Sequence, residues 1–522
     1  MNGHTFQDGY ITVKEGILRG IVEDGVKIFR GVPYAKPPVG ELRWKDPVPP
    51  AKWFGVRSAE RYSAGALQWD FLENDPYAEY ELGAPMHSED CLYLNLFTPA
   101  QTIEDKLPIF VWVHGGGMVA GSGMASFFEG EQLAKKGIIV AVINYRLGLF
   151  GFFCHPELSA ESPHHTSGNY ALMDIRQAVL WLKENAASFG GDPDRITVGG
   201  QSGGSLGTSC LALSPLMEGL CQGYIMESGC PLYGFMQAAD RSELEVSGKA
   251  FGESIGAPTL ADLRKMDGCD LTQIAYTEKH YVPNFCVDGY FLPDTPWNLL
   301  HEGKINNAAL LVGATSEEFG TLAPYKENSV TGEQFEQYLA KLYTPEQQEF
   351  FRENFPHRTN REAMLSALRI QSDFHIFGPL LFGKLSADAG RSCYVYYKTR
   401  PDSGARGELL GSTHSSELPF LFGRPEKCII NPDGMNDADI VFGEQLRSYW
   451  ANFIKTGDPN QGDSVPVEWK PSIDLFDYLD LGKVIHNPDE QEKAILRVIW
   501  EILKTRGNCT VREFQTAEIM PK

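Results

Sequence analysis

The chain has 522 residues, 43% of them hydrophobic, with 30 Phe, 21 Tyr and 9 Trp, so it can bury a substantial core and is neither a disordered chain nor a fibrous repeat. Its net charge of −22 argues against nucleic acid and anionic membrane surfaces as partners, since both are held through basic patches. No segment approaches the roughly 20 uninterrupted apolar residues of a membrane helix, and Met1 to Tyr10 has neither the positive region nor the apolar run of a secretory signal, so a cytoplasmic protein is expected. Ten cysteines are scattered singly, from Cys91 to Cys509, with no CxxC pair and no Cys/His group of metal-ligand spacing. They are expected to be mostly buried free thiols.

Tyr10 to Arg30 alternates apolar and polar residues around Glu15-Gly16 and Asp24-Gly25, which predicts short antiparallel strands joined by tight turns. From Gly31 to Pro50 the density of proline (Pro33, Pro37, Pro38, Pro47, Pro49, Pro50) rules out a helix or a central strand. Cys91 to Thr98 and Leu107 to Val113 read as strands, and Gly137 to Asn144 (GIIVAVIN) has the continuous apolar run of a parallel strand buried on both faces. Asn169 to Ala187 is a helix candidate. Further short strands are predicted at Arg195 to Gly199, Gly223 to Glu227, Ala308 to Val312 and Tyr394 to Tyr397. Strands alternating with helices, without a Ser/Gly-rich linker, predict one large α/β domain over residues 1–522, with a mostly parallel sheet covered by helices.

Three features carry chemistry. The corner Gly200-Gln201-Ser202-Gly203-Gly204 joins the Arg195 to Gly199 strand to a helix predicted over Gly203 to Leu213. Such a corner reverses a strand into a helix so tightly that the serine takes a strained backbone and its hydroxyl is exposed at the sheet edge. The same pattern at Gly252 to Gly256 has no strand before it and no helix after it, so Ser254 reads as a helix-end serine. The second feature, His114-Gly115-Gly116-Gly117, ends the Leu107 strand, where side-chain-free residues let backbone N–H groups approach an oxyanion. Gly116, Gly117 and Gly203 are the candidate donors.

The third feature is the acid and the histidine that a serine nucleophile requires; on this type of sheet they follow the serine in that order. Glu317 and Glu318 both follow the Ala308 to Val312 strand, and one of the two is expected to be only a solvated neighbour. Of the late histidines, His357 and His375 look like lid or helix positions, and His486 has little chain after it to organise it. His414, in the small polar loop Gly411 to Glu417 beyond the Tyr394 strand, is the preferred base.

Phe189 to Gly204 (FGGDPDRITVGGQSGG) and Glu89 to Pro99 (EDCLYLNLFTP) resemble in full two signatures of the type-B carboxylesterases, the α/β-hydrolase branch that includes cholinesterases and para-nitrobenzyl esterases. The likeness runs from about Gly16 to Trp469. It implies an α/β-hydrolase fold with helical insertions around an active-site gorge. It also implies Ser202 as nucleophile, Glu318 as acid, His414 as base, Gly116, Gly117 and Gly203 as oxyanion hole, and Ser228 as support for the acid, with Arg43–Glu89 and Arg146–Asp174 as structural ion pairs. It calls for neither a metal nor an organic cofactor. The implied activity is hydrolysis of small to medium, mostly apolar esters through an acyl-enzyme. The alternatives are another acyl bond (amide, carbamate, thioester or feruloyl ester) and a non-enzymatic binding protein on the same fold. The sequence also departs from the family. Gln201 stands where the family usually has Glu, so a negative charge beside the nucleophile is missing. No cysteine near Ala66 can form the bridge that animal members make to the position of Cys91, which leaves the Leu67 to Ser88 segment unbridged at the expected border of the gorge.

Overall fold

The computed structural model describes residues 6–68, 86–232, 237–281, 283–320, 330–428, 431 and 433–506. The aromatic-rich segment expected to border the gorge lies largely outside these residues, as does Cys509. The chain forms two compact units. The first gathers residues 1–226, 236–310 and 447–463, and the second residues 227–235, 311–446 and 464–522.

In the first unit the N-terminal hairpin forms as the alternation predicts, Tyr10–Val13 pairing antiparallel with Gly16–Arg19. The sheet then builds from β1 (Ile21–Glu23), β2 (Val26–Pro33), β3 (Tyr93–Thr98), β4 (Leu107–Val113), β5 (Ile139–Ile143), β6 (Gly191–Gln201) and β7 (Gly223–Glu227). Their spatial order is β1-β2-β3-β5-β4-β6-β7. The centre is parallel, β5 and β6 flanking β4, whereas β1, β2 and β3 pair antiparallel toward the edge. Every residue of β5 is buried, as its unbroken apolar run demands of a strand covered on both faces. β6 is longer than predicted because Gly191 already pairs with Leu107; a bulge then separates it from Ile196. Helix α1 (Tyr170–Asn185) precedes β6, and α2 (Gly203–Leu213), buried throughout, follows it. Ser254 closes a helix, Arg241–Ser254, and its hydroxyl donates to the Phe251 carbonyl, as expected of a helix-end serine.

Two ion pairs fix the loops around this sheet. Arg43 is bidentate to Glu89, with Nε–Oε2 at 2.7 Å and Nη2–Oε1 at 2.5 Å, and its remaining nitrogen donates to the carbonyls of Leu263 and Met266. Arg146 and Asp174 are both fully buried, with N–O distances of 2.6 and 2.7 Å. Removing one partner leaves the other charge uncompensated in the interior, so Asp174→Ala is expected to lose about 3–5 kcal/mol of stability, read as a lower urea midpoint. A midpoint equal to wild type would show that the pair holds nothing.

The second unit carries the ends of β7 and β8 (Ala309–Thr315), then β9 (Cys393–Lys398), β10 (Leu479–Leu481) and β11 (Ile485–His486). β8 to β11 lie side by side in that order, β9 and β10 parallel and β10 and β11 antiparallel. All six residues of β9 are buried, and the Trp469 indole donates to the Val395 carbonyl at 3.0 Å. Helices α3 (Asn360–His375), α4 (Phe377–Asp388) and α5 (Glu490–Arg506) belong to this unit. The nine described cysteines are free thiols; seven are buried, Cys428 is half-buried and Cys269 is exposed. No described helix is long and apolar enough to cross a membrane.

Candidate active site

Ser202 stands between β6 and α2 with φ 55° and ψ −122°, a conformation that L-residues avoid, as the predicted corner requires. The glycines around it are needed for space. A Cβ on Gly204 would lie 2.1 Å from the Val113 carbonyl oxygen, and one on Gly200 would lie 2.6 Å from the backbone of Gly204. Ser202 is half-exposed while its neighbours Gln201 and Gly203 are buried, so the hydroxyl is the accessible group of the turn.

The glycine loop after β4 lies directly against this corner. A Cβ on Gly115 would meet the Gln201 oxygen at 2.9 Å and the Ser202 Cβ at 3.2 Å, and one on Gly203 would come within 2.9 Å of the Gly117 nitrogen. Gly116 and Gly117 have φ of 102° and 60°. Gly203 opens α2, where backbone N–H groups have no partner within the helix. Gly117 and Gly203 therefore lie close together beside Ser202. His114 anchors the loop from beneath: it is buried, stacks on Tyr145 at 4.6 Å, and its Nδ1 is 2.8 Å from the Gly115 oxygen. Burial, opposed by that carbonyl, pulls its pKa down to about 4, so the ring is neutral at ordinary pH.

The second unit contains Glu318 and His414, the candidate acid and base. A 3-10 turn at Glu318–Gly320 folds the Glu318 side chain back so that Oε1 accepts the Thr315 N–H at 2.7 Å, while Oε2 is hydrogen-bonded to Nδ1 of His414. Burial alone would raise the Glu318 carboxyl, but the His414 imidazole, the field of His375 and the Ser228 hydroxyl outweigh it and hold the pKa at about 2. Burial likewise opposes charge on His414, and Glu318 overrides it, so the imidazole pKa lies above its ordinary value. With Nδ1–H donated to the carboxylate, Nε2 is left as the basic nitrogen.

Glu317 corrects the sequence expectation of a solvated neighbour, because both glutamates are buried. Glu317 turns the other way from Glu318. Its Oε2 accepts the Ser412 N–H at 2.7 Å and the Ser316 hydroxyl at 2.5 Å, and its own N–H donates to the Ser412 carbonyl. It thus ties the acid's turn to the loop that carries His414. Ser228, at φ 51°, bonds through its N–H to Gly313, and its hydroxyl lies 3.2 Å from Glu417.

Glu417 is a residue that sequence reading passed over. It is buried, and burial together with the nearby Glu318 raises its pKa to about 7. When protonated, its O–H can donate a hydrogen bond to the Ser228 oxygen, leaving the Ser228 hydroxyl to donate to Glu318. Its signal was a lone acid three residues after His414, at the head of the apolar run LPFLFG. Glu417→Gln removes a negative charge that supports protonation of His414, so the acid limb of kcat/KM is expected to move to lower pH; a limb that stays in place would detach Glu417 from the base.

The other late histidines have other surroundings, although the field of His375 reaches Glu318. His357 stacks on Phe335 and pairs with Glu336, and His375 ends α3. His486, with Asp480 and Glu492, forms a group whose potential ligand atoms all lie within 4.8 Å of one another. His486 Nδ1 lies 3.1 Å from the Val484 carbonyl oxygen and Nε2 lies 3.0 Å from Glu492. α5 follows it, so chain does remain to organise it, contrary to expectation.

A profile of the carboxylesterase family matches residues 7–486. The chain belongs to this family. Curated relatives of this carboxylesterase include the fumonisin B1 esterase of Sphingopyxis macrogoltabida, 32% identical over 86% of the chain and 82% of the relative. The medium-chain fatty acyl-CoA hydrolase precursor of Anas platyrhynchos is also 32% identical, over 92% and 89%. A solved PNB esterase superposes with a TM-score of 0.74 at 27% identity, covering 94% of the chain and 99% of that structure. The carboxylesterase thus has the α/β-hydrolase fold and is a carboxylic ester hydrolase, acting on small-molecule esters.

Proposed function

We propose that the two units form one catalytic domain in which Ser202, His414 and Glu318 are the triad of a serine carboxylesterase. The observation that carries this reading is the buried His414–Glu318 pair, which leaves Nε2 as a base strengthened by a carboxylate held ionised. Ser202 attacks the ester carbonyl as His414 takes its proton. Gly116, Gly117 and Gly203 donate to the oxyanion. His414 then protonates the departing alcohol, and water activated by the same imidazole releases the acid from the acyl-enzyme. Small to medium, mostly apolar esters suit the elbow, because Gln201 brings no charge to the nucleophile. The test is hydrolysis of para-nitrophenyl acetate, butyrate and octanoate, with Ser202→Ala as control; activity shared by the variant overturns the assignment. A relative named as a fatty acyl-CoA hydrolase favours thioesters as a second substrate class. Matched esters, amides and thioesters of one acyl group decide between the two, since the pocket sets the preference.

A further inference from the structure

Lys398, the last residue of β9, is fully buried. Its ammonium donates to three acceptors, the Arg400 carbonyl at 2.9 Å, Ser412 Oγ at 2.9 Å and Ser416 Oγ at 2.8 Å. An ammonium has three N–H donors, so the set is complete. Ser412 and Ser416 stand two residues before and two residues after His414. A single side chain on the rigid end of a strand thus grips both flanks of the histidine's loop. Thr413 is fixed separately, its N–H and hydroxyl reaching the Asp402 carboxylate at 3.2 and 2.5 Å. Uncharged groups would tie a loop at lower desolvation cost, so a buried ammonium here calls for a role beyond holding the chain together.

We infer that Lys398 is a positioning residue for ester hydrolysis, clamping Ser412 and Ser416 so that the His414 imidazole keeps its register against Glu318. The inference rests on the reading of His414 as the catalytic base. The clamp also carries charge. The groups whose fields reach the ammonium are Asp402, with Oδ1 at 3.9 Å, then Glu417, Glu317 and Arg400, and those acting on His414 are Glu318 and Glu417. The ammonium favours the ionised form of Glu417, and ionised Glu417 supports protonation of His414. Removing the positive charge lets Glu417 protonate more readily and withdraws that support, so the acid limb of kcat/KM moves to lower pH.

The experiment compares wild type, Lys398→Met, Lys398→Gln and Ser416→Ala on para-nitrophenyl butyrate from pH 5 to 9, with Ser202→Ala and His414→Ala alongside. Lys398→Met is expected to lower kcat about 10- to 100-fold with KM within about twofold, the signature of a misplaced catalytic group, and to shift the acid limb to lower pH. Lys398→Gln, which returns N–H donors without the charge, recovers much of kcat and keeps the shifted limb. Ser416→Ala, which keeps the charge and loses one grip, lowers kcat roughly three- to tenfold with the limb in place. Should Lys398→Met fail to fold, Ser416→Ala and Lys398→Gln carry the test. Wild-type kcat and an unmoved limb in the folded Lys398 variants overturn the clamp, as does a loss of turnover that only tracks the unfolded fraction. Turnover retained in Ser202→Ala or His414→Ala instead overturns the triad itself.

Discussion

Ser202→Ala is expected to reduce kcat on para-nitrophenyl butyrate by roughly 10⁴- to 10⁶-fold, the loss that follows when the nucleophile of a triad is removed and only binding and oxyanion donors remain. The same position predicts a gain in stability. A non-glycine residue at φ 55° and ψ −122° carries strain of order 1–3 kcal/mol, and a Ser202→Gly chain relieves part of it. That variant is expected to be as inactive as Ser202→Ala and to unfold at a higher urea concentration than either Ser202→Ala or wild type. Residual turnover near wild type in either variant would remove Ser202 from the chemistry. A Ser202→Gly midpoint below that of Ser202→Ala would show that the corner stores no strain.

The second large effect belongs to Glu318→Gln. The amide can offer an N–H to Nδ1, which forces the imidazole into the tautomer with its proton on Nε2, where it cannot act as a base; a fall in kcat of about 10⁴ is expected. Without the carboxylate, burial is left to lower the His414 pKa, so the acid limb of the remaining activity moves to lower pH. Stability changes with a definite sign. The Glu318 pKa is depressed to about 2, so its contribution is present above the ordinary glutamate value of about 4.3 and is lost as pH falls through 2. The His414 pKa is raised, so its contribution is present below about 6.5 and is lost as pH rises through the folded value. The urea midpoints of wild type and Glu318→Gln should therefore differ most between about pH 4.3 and 6.5. A pH-independent difference would separate the pair from folding.

The chemistry-bearing half of the sheet was legible because its signals are local. β5 is an unbroken apolar run, β4 ends in a glycine loop, and the Ser202 corner holds glycines on both sides; each dictates its geometry within a few residues. The choice between Glu317 and Glu318 was not local. Adjacent residues in a tight turn point apart, and the Thr315 N–H draws one back while Ser412, 95 residues away, claims the other. Lys398 and Glu417 were hidden for the same reason, since their partners are set by tertiary packing. The helices Gly332–Leu342, Pro345–Asn354 and Asn360–His375 did carry a local signal that went unused. Thr331 with Gln334, Thr344 with Gln347, and Thr359 with Glu362 form capping boxes whose spacing is visible in the sequence.

The first unit is finished by residues 447–463, far from the rest of it in sequence. Within that segment, Ser448 and Asp463 bond Lys136, and the Ile454 carbonyl accepts from Gln222. A ribosome working from the N-terminus releases these groups last, on the order of a minute after the start at 5–20 residues per second. The Ser202 corner therefore emerges early and waits, without residues 447–463, through about half of synthesis. Esterolysis by this chain is in that sense a property of completion, and a message cut short between codons 203 and 463 yields a polypeptide that has the serine but not the whole unit that holds it.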